Sequence, residues 1–404
     1  MSEEKICVLG LGYIGLPTAV ILASVGHRVV GYDVNKQHLK KLTSGELPFF
    51  ETGLEEEFAT VYSNKQLRIS GSIEPADVFI ICVPTPITLS DSGPNPNIKH
   101  VLDAVDTICD VVSHGDLIIV ESTCPVGTIN VLKDYMAAKV SFIEEIGFAC
   151  CPERVLPGNI LHELVYNDRV IGGLTESSTE RATRLYQSYA KGQIFRCTAV
   201  EAEICKLAEN SYRDVNIAFA NELSQICDSV NVDPMNLIKI ANRHPRVNIL
   251  KPGPGVGGHC IAVDPWFLVS GFPDSTNLIK MARAVNTNKT DWVVRKIIET
   301  IQHLKAENGS QIITALLGLS YKENLGDIRG APAIQILDDL QAYGENLIAV
   351  EPHLTSHEGV KLVHADEAVR IADLIVVLVA HDEFQGVKDL IKKRKVLDFC
   401  GFLN

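Results

Sequence analysis

A six-residue run, Gly10-Leu-Gly12-Tyr-Ile-Gly15, stands between a short apolar strand, Lys5–Gly10, and a helical stretch, Tyr13–Val25, that ends at Gly26. This arrangement narrows the possible folds more than any other feature of the chain. Gly10 permits a tight turn, Gly12 lets backbone approach a pyrophosphate, and Gly15 lets the helix pack on the strand. The helix N-terminus adds N–H donors and a partial positive charge for phosphates. Alone, the spacing is a weak signal. It gains weight because Asp33 closes a second strand, Arg28–Asp33, where a carboxylate can hold a ribose 2′-hydroxyl. A carboxylate there repels a 2′-phosphate and no Arg follows it directly, so NAD is expected rather than NADP. Gly10, Gly12 and Gly15, with the intervening Tyr13 and Ile14, and Asp33 are the candidate cofactor contacts.

The alternation continues. Val78–Val83 and Leu117–Glu121 are apolar, β-rich runs, and Phe148–Cys151 and Arg169–Gly173 extend the pattern to about residue 197. Strands alternating with helices imply βαβ units and a parallel sheet. From Ala199 to Asn231 there is one long proline-free helical pattern. In it Ile204, Leu207, Ala208, Ser211, Val215, Ala218, Phe219 and Leu223 recur at three and four residues. Asp233-Pro234 reads as N-cap and first turn of a further helix through Asn242, Asp264-Pro265 as another helix start, and Thr276–Leu304 as mostly helical. From about residue 310 the strand signals return, at Ile312–Leu317, Asn346–Val350, Leu374–Val379 and Lys395–Leu397. The expected class is α/β, with parallel sheets in residues 1–197 and 306–404 and a helical region, 198–305, holding a long central helix.

Composition excludes several functions. Thirty-seven Lys and Arg against 50 Asp and Glu, with no basic block, make a poor nucleic-acid binder. No run reaches the ~18 apolar residues of a membrane span. Met1-Ser-Glu-Glu-Lys leads straight into a strand, which leaves no room for a signal peptide. Eleven scattered cysteines without a C-x-x-C pair suggest reduced thiols in the cytoplasm and give no reason to expect a metal site.

Cys82-Val-Pro-Thr-Pro86 and Glu121-Ser-Thr-Cys-Pro-Val-Gly127 each follow an apolar strand, so Thr85 and Thr123 are candidates for contacts to NAD or to an active-site water, or else merely cap helices. Cys260 alone among the cysteines sits in a glycine-rich loop, KPGPGVGGHC, just before a helix start. A nucleophilic thiolate needs such a setting, near cations or a helix N-terminus. Lys206, Asn210 and Arg213, at i, i+4 and i+7, form one stripe of the long helix, facing either solvent or a cleft. Asn242-Arg-His-Pro-Arg-Val-Asn248 is a basic, rigid segment that could hold phosphate or sugar hydroxyls, or be a surface turn.

Taken together, GLGYIGLP at 10–17, STCPVGT at 122–128, PERVLPGNI at 152–160, EICKLAENSYRDVNIAFANEL at 203–223, GPGVGGHCIAVDP at 253–265 and GLSYKENLGDIRGAP at 318–332 resemble the nucleotide-sugar 6-dehydrogenases, the UDP-glucose and GDP-mannose dehydrogenase family. The resemblance spans about residues 5 to 400. It implies two Rossmann-like domains, the first for NAD and the last helping to bind UDP, and a long helix that builds a homodimer. PERVLPG and NRHPRVNILKPGPGVGGHCIAVDPWF are similar to the subgroup acting on UDP-N-acetyl-D-mannosamine; UDP-N-acetylglucosamine and UDP-glucose are alternatives, as is a non-catalytic sensor of NAD and nucleotide sugar. The resemblance makes Cys260 the nucleophile, Lys206 its acid/base partner, Asn210 a polarising amide, Asp264 the group orienting the lysine, and Glu153, helped by Thr123, the activator of the hydrolytic water. It assigns Arg154, Val155, Lys206, Asn210, Arg213, His244, Arg246, Gly257, Tyr321 and Lys322 to the nucleotide sugar and Arg329 to the cofactor. Two places depart from the family pattern. Gly326-Asp-Ile-Arg329-Gly-Ala331-Pro lacks a serine N-cap at Ala331, worth ~1 kcal/mol, and Asp398-Phe-Cys-Gly401 lacks a basic residue.

Overall fold

The computed structural model describes residues 4–90, 93–309 and 311–404. Met1–Glu3, on which the reading of the chain start partly rests, lie outside the described residues. The chain forms two compact units, one of Met1–Glu209 with Trp266–Gly271 and the other of Asn210–Pro265 with Phe272–Asn404.

In the first unit the strands are β1 (Lys5–Leu9), β2 (Arg28–Tyr32), β3 (Leu67–Ser70), β4 (Val78–Ile81), β5 (Ile87–Ser90), β6 (Gly93–Pro96), β7 (Leu117–Val120), β8 (Gly147–Cys150), β9 (Arg169–Gly173) and β10 (Ile194–Thr198). Eight of them form one sheet in the order β10-β9-β8-β7-β4-β1-β2-β3, while β5 and β6 pair separately and antiparallel. Neighbours in the large sheet run parallel except β8 and β9, which are antiparallel. The apolar runs are buried on both faces, as helix-covered sheets require. Along β1, Ile6 and Val8 enter one core, and Cys7 and Leu9 enter the other. The strand order reverses beside β1, so the loops leaving β1 and β4 border the ligand crevice of a doubly wound sheet.

The second unit repeats the plan with β11 (Ile313–Leu317), β12 (Asn346–Val350), β13 (Lys361–Leu362), β14 (Leu374–Val377) and β15 (Lys395–Asp398), all parallel, in the order β13-β12-β11-β14-β15. The long helix, Ala199–Ser229, begins in the first unit and continues into the second. A further helix, Asn277–Asn308, is one residue longer. The two are laced by buried polar groups. Arg283 and Asn286 both bond Asp214, Asn286 accepts from Asn221, and Asn221 in turn accepts from the Gly253 N–H at the root of the glycine-rich loop.

The apolar period of the long helix is only partly internal. Leu207 and Ala218 are buried, but Ile204, Ala208 and Phe219 are exposed, because the apolar stripe is wider than the face that the rest of the chain covers. Ala331 is the N-cap of the Pro332–Ala342 helix and makes no side-chain cap bond, as its missing hydroxyl predicts. Among the described residues, no helix is long and apolar enough to cross a membrane.

Candidate active site

The loop after β1 is shaped by its glycines. Gly10 has φ +92°, and a Cβ there would lie 2.6 Å from the Cys82 carbonyl oxygen. A Cβ on Gly15 would lie 1.9 Å from the Gly10 carbonyl oxygen, so no larger residue fits. A Cβ on Gly12 would meet nothing within 4 Å, which leaves its backbone open for a phosphate to approach. Asp33 accepts from the Leu11 N–H through Oδ2 and from the Asn35 N–H through Oδ1, both at 2.7 Å. Each oxygen keeps a lone pair for a ribose hydroxyl. The residues present therefore fit a dinucleotide. Tyr13 stacks on Phe49 at 4.1 Å, and Ile14 precedes the Gly15–Ser24 helix. The Thr85 hydroxyl donates to the Thr123 carbonyl at 2.6 Å, and Ser122 Oγ donates to the Val83 carbonyl at 2.7 Å. The loops after β4 and β7 are thus tied together, and neither threonine is an N-cap of the helices that follow.

Beyond β8, Glu51 accepts from the N–H groups of Gly158 and Ile160, each at 2.8 Å, and so seats the PERVLPGNI segment on the end of its helix. Glu153 is buried there. Its Oε1 accepts from the Arg154 N–H at 2.6 Å and its Oε2 faces Arg169 at 3.2 Å. The Arg154 guanidinium instead pairs with Glu209 at 2.9 Å, and Val155 packs on the core of the first unit. A second carboxyl, Glu121, lies fully inside, accepting from Tyr186 at 2.6 Å, Thr18 at 3.1 Å and Cys82 at 3.2 Å. Burial, and next the charge of Glu153, push the Glu121 carboxyl above its ordinary range, against the pull of Arg169. Two buried carboxyls thus feel the charge of one guanidinium, though only Glu153 is paired with it. Sequence reading missed Glu121, Arg169 and Tyr186; the only available signal was an acid placed directly after the all-apolar β7.

On the long helix the stripe is graded. Lys206 is half-buried, Asn210 is buried and Arg213 is exposed. In the second unit Cys260 is exposed, and its carbonyl accepts from Val263 and Asp264 at 3.0 and 2.8 Å, closing a turn. Asp264 is buried and accepts from the Asn210 amide at 2.5 Å. The glycines before the thiol are again steric necessities. A Cβ on Gly257 would lie 2.5 Å from the Gly330 carbonyl oxygen, and one on Gly258 would lie 3.0 Å from the Tyr321 ring. Asn242 bonds both the N–H and the carbonyl of Ile249, at 2.7 and 2.9 Å, and this closes the basic segment into a loop whose His244 and Arg246 are exposed. Lys322 is half-buried, and Arg329 is held by Asp327 at 2.9 and 2.6 Å.

Three domains of one family match the chain in order: the NAD-binding domain at residues 4–190, the central domain at 200–288 and the UDP-binding domain at 315–404. The chain belongs to the UDP-glucose/GDP-mannose dehydrogenase family. As a member it is an NAD-dependent UDP-sugar dehydrogenase, and the glycine cradle with Asp33 lies in its NAD-binding part. It is 43% identical over 98% of its length to the UDP-N-acetyl-D-mannosamine dehydrogenase of Campylobacter jejuni, covering 99% of that protein. It is also 43% identical, over 98% of its length and 96% of the other chain, to an NDP-N-acetyl-D-galactosaminuronic acid dehydrogenase of Ralstonia nicotianae. A solved structure of the UDP-N-acetyl-mannosamine dehydrogenase from S. aureus matches with a TM-score of 0.89 at 39% identity, covering 99% of this chain and 96% of that one. This dehydrogenase carries Cys260, Lys206, Asn210, Asp264 and Glu153 at the motif positions named from its sequence.

Proposed function

We propose that the chain oxidises the C6 hydroxyl of UDP-N-acetyl-D-mannosamine to a carboxylate in two successive dehydrogenations. The observation that carries this reading is Cys260, exposed on a loop of close-packed glycines and joined by a hydrogen-bonded turn to a buried Asp264. Bound NAD supplies the hydride acceptor, once for each oxidation. Lys206 takes the hydroxyl proton as the aldehyde forms. Cys260 adds its sulfur to the aldehyde carbon as a thiohemiacetal, and loss of the second hydride together with the hydroxyl proton leaves a thioester. The Asn210 amide, oriented by Asp264, and the Lys206 ammonium stabilise the oxyanions, each donor being worth ~3 kcal/mol at comparable sites. Glu153, assisted by Thr123, removes a proton from the water that cleaves the thioester, returning the thiol and releasing the acid. Gly10, Gly12, Gly15, Asp33, Thr85 and Arg329 hold the cofactor. Arg154, Val155, Arg213, His244, Arg246, Gly257, Tyr321 and Lys322 hold the nucleotide sugar.

The working division is an NAD-binding part (1–197), a helical part (198–305) and a UDP-binding part (306–404), in a cytoplasmic homodimer. The exposed row Tyr212, Phe219 and Ile226 along the long helix supports pairing with a second copy. The test is NADH formation, two per sugar, from UDP-N-acetylmannosamine against its C2 epimer UDP-N-acetylglucosamine, UDP-glucose and UDP-N-acetylgalactosamine. The last belongs in the panel because a relative named for the galactosamine-derived acid is equally identical. Preference for another sugar overturns the substrate. Tight NAD binding without NADH from any of the four supports a non-catalytic sensor.

A further inference from the structure

Both units begin with the same device, put to different use. Gly10 after β1 donates to Tyr32, and Gly318 after β11 donates to Val350, each at 2.8 Å. Gly318 has φ +86°, and a Cβ there would lie 2.5 Å from Val379 Cβ. The carboxylate after the second strand is Asp33 in one unit and Glu351 in the other; each accepts, at 2.7 Å, the N–H of the residue following the glycine, Leu11 or Leu319. Asp33 remains half-buried. Glu351 is 4% exposed and also accepts the Ser320 and His353 N–H groups at 3.1 Å. His381, at 0% exposure just beyond β14, stands with Nε2 3.1 Å from Glu351.

We infer that His381 is a positioning residue of the UDP-sugar site: with Glu351 it clamps the 319–324 backbone that presents Tyr321 and Lys322. This rests on the UDP-sugar reading given above. The Asn324 N–H points at His381 Nδ1 at 3.0 Å, so that nitrogen is the acceptor and the ring proton sits on Nε2, directed at Glu351 and, at 3.3 Å, at Ser320 Oγ. Ser320 Oγ donates onward to the Lys322 carbonyl at 2.7 Å. Asn324 stands at φ +59°, held there by reciprocal bonds of 2.9 Å with Asp382. The backbone on both sides of Tyr321 and Lys322 is therefore tied to one imidazole and one carboxylate.

Glu351, His353 and His381 also place ligand-type atoms within 4.8 Å of one another. A cation would need a lone pair from His381, yet Nδ1 spends its own on Asn324 and Nε2 carries the proton. The cluster is thus read as a hydrogen-bonded clamp rather than a metal centre.

Two near-isosteric variants separate the bonds. His381→Gln can still reach Glu351 but loses the acceptor for the Asn324 N–H. His381→Asn keeps that acceptor and loses the donor to Glu351. The probes are UDP titrated by calorimetry and steady-state NADH formation in the full-length enzyme. His381→Gln is expected to raise the UDP Kd and the UDP-sugar KM about tenfold, as an orphaned buried N–H allows, with kcat and the NAD KM within about twofold of the parent. His381→Asn should fall between the two. Parent-like UDP affinity in both variants overturns the proposal. So does an equal rise in the NAD KM, which indicates general loss of structure, or a fall in kcat at unchanged KM. Thermal stabilisation of the parent by stoichiometric Zn²⁺, abolished in both variants, would replace the clamp with a metal site. A parent that binds UDP but oxidises no sugar overturns the catalytic reading and leaves the clamp measurable; a parent that does not bind UDP overturns both.

Discussion

Replacing Glu153 by Gln probes the step at which the thioester is released. The side chain keeps its size and one carbonyl oxygen, which can go on accepting from the Arg154 N–H at 2.6 Å or from Arg169 at 3.2 Å, but not from both as a charge. If Arg169 were left alone in the interior, unfolding free energy would fall by ~3–5 kcal/mol. Arg169 keeps the Leu164 carbonyl at 3.0 Å, and where the introduced amide oxygen goes on accepting from it the loss reduces to one charge-assisted bond, ~1.5–3 kcal/mol. Meanwhile, removal of the general base slows hydrolysis by ~10²–10⁴-fold. Stopped-flow absorbance should therefore show a fast burst approaching two NADH per active site, followed by a stall. Intact mass should show protein heavier by the sugar nucleotide, released by hydroxylamine. Stability gives an independent check of the charge sharing. A carboxyl raised above its unfolded value, as Glu121 is, contributes stability that is present below the unfolded pKa and lost as pH rises through the folded one. Glu153→Gln removes the second largest cause of that rise, so the fall in urea stability as pH rises above the ordinary carboxylate range should be shallower in the variant. A slow enzyme with no burst and no added mass would refute the assigned role and leave Glu153 as a partner of Arg169.

Cys260→Ser should bind NAD and UDP-sugar normally yet make no acid; near-parental steady-state NADH formation would remove the thiol from the chemistry. Asp33→Ala should weaken NAD by ~1–3 kcal/mol and reduce discrimination against NADP, measured as the two KM values; unchanged preference would place the ribose elsewhere. Gly15→Ala should abolish NAD binding by calorimetry, because the new methyl would meet the Gly10 carbonyl at 1.9 Å. Burial lowers the Lys289 ammonium to about 7, although Ser224 Oγ at 2.9 Å and the Trp292 face at 3.7 Å receive it. Because the unfolded lysine holds its proton to higher pH, Lys289→Met should gain on the parent as pH falls toward about 7 and gain no more below that; an advantage that instead grows at alkaline pH would contradict the assignment.

The cradle of the first unit was legible because its signals are local, whereas the short β3, β5, β6 and β10 were not named from the sequence. GLGYIG between strand and helix and an acid closing β2 place the cradle without any distant contact, and Asp33 does turn back onto Leu11. β11 to β15 were legible for the same reason, as apolar runs separated by helical stretches; only the two-residue β13 escaped, being too short to show a pattern. Non-local pairings were not legible. Nothing near Glu153 in sequence points to Arg169, 16 residues on in another strand, and the adjacent Arg154 looks the better partner until Glu209 takes it. The antiparallel β8–β9 pair is hidden because an apolar run carries no direction. Glu351 and His381, 30 residues apart, meet only because β12 and β14 flank β11.

Among the described residues Cys260 is the one exposed thiol of eleven; the others are buried or half-buried. Where burial dominates it pushes the thiol up, to about 12 for Cys7 and Cys151, so those sulfurs stay protonated and unreactive at neutral pH. A mild alkylating agent should therefore discriminate by access alone. The label taken up per chain counts competent centres, with no need to mutate the other ten cysteines. The same contrast is a weakness. An oxidant that spares the fold still finds one sulfur, and advancing it to the sulfinic state would silence the enzyme while every spectroscopic measure of folding stayed unchanged.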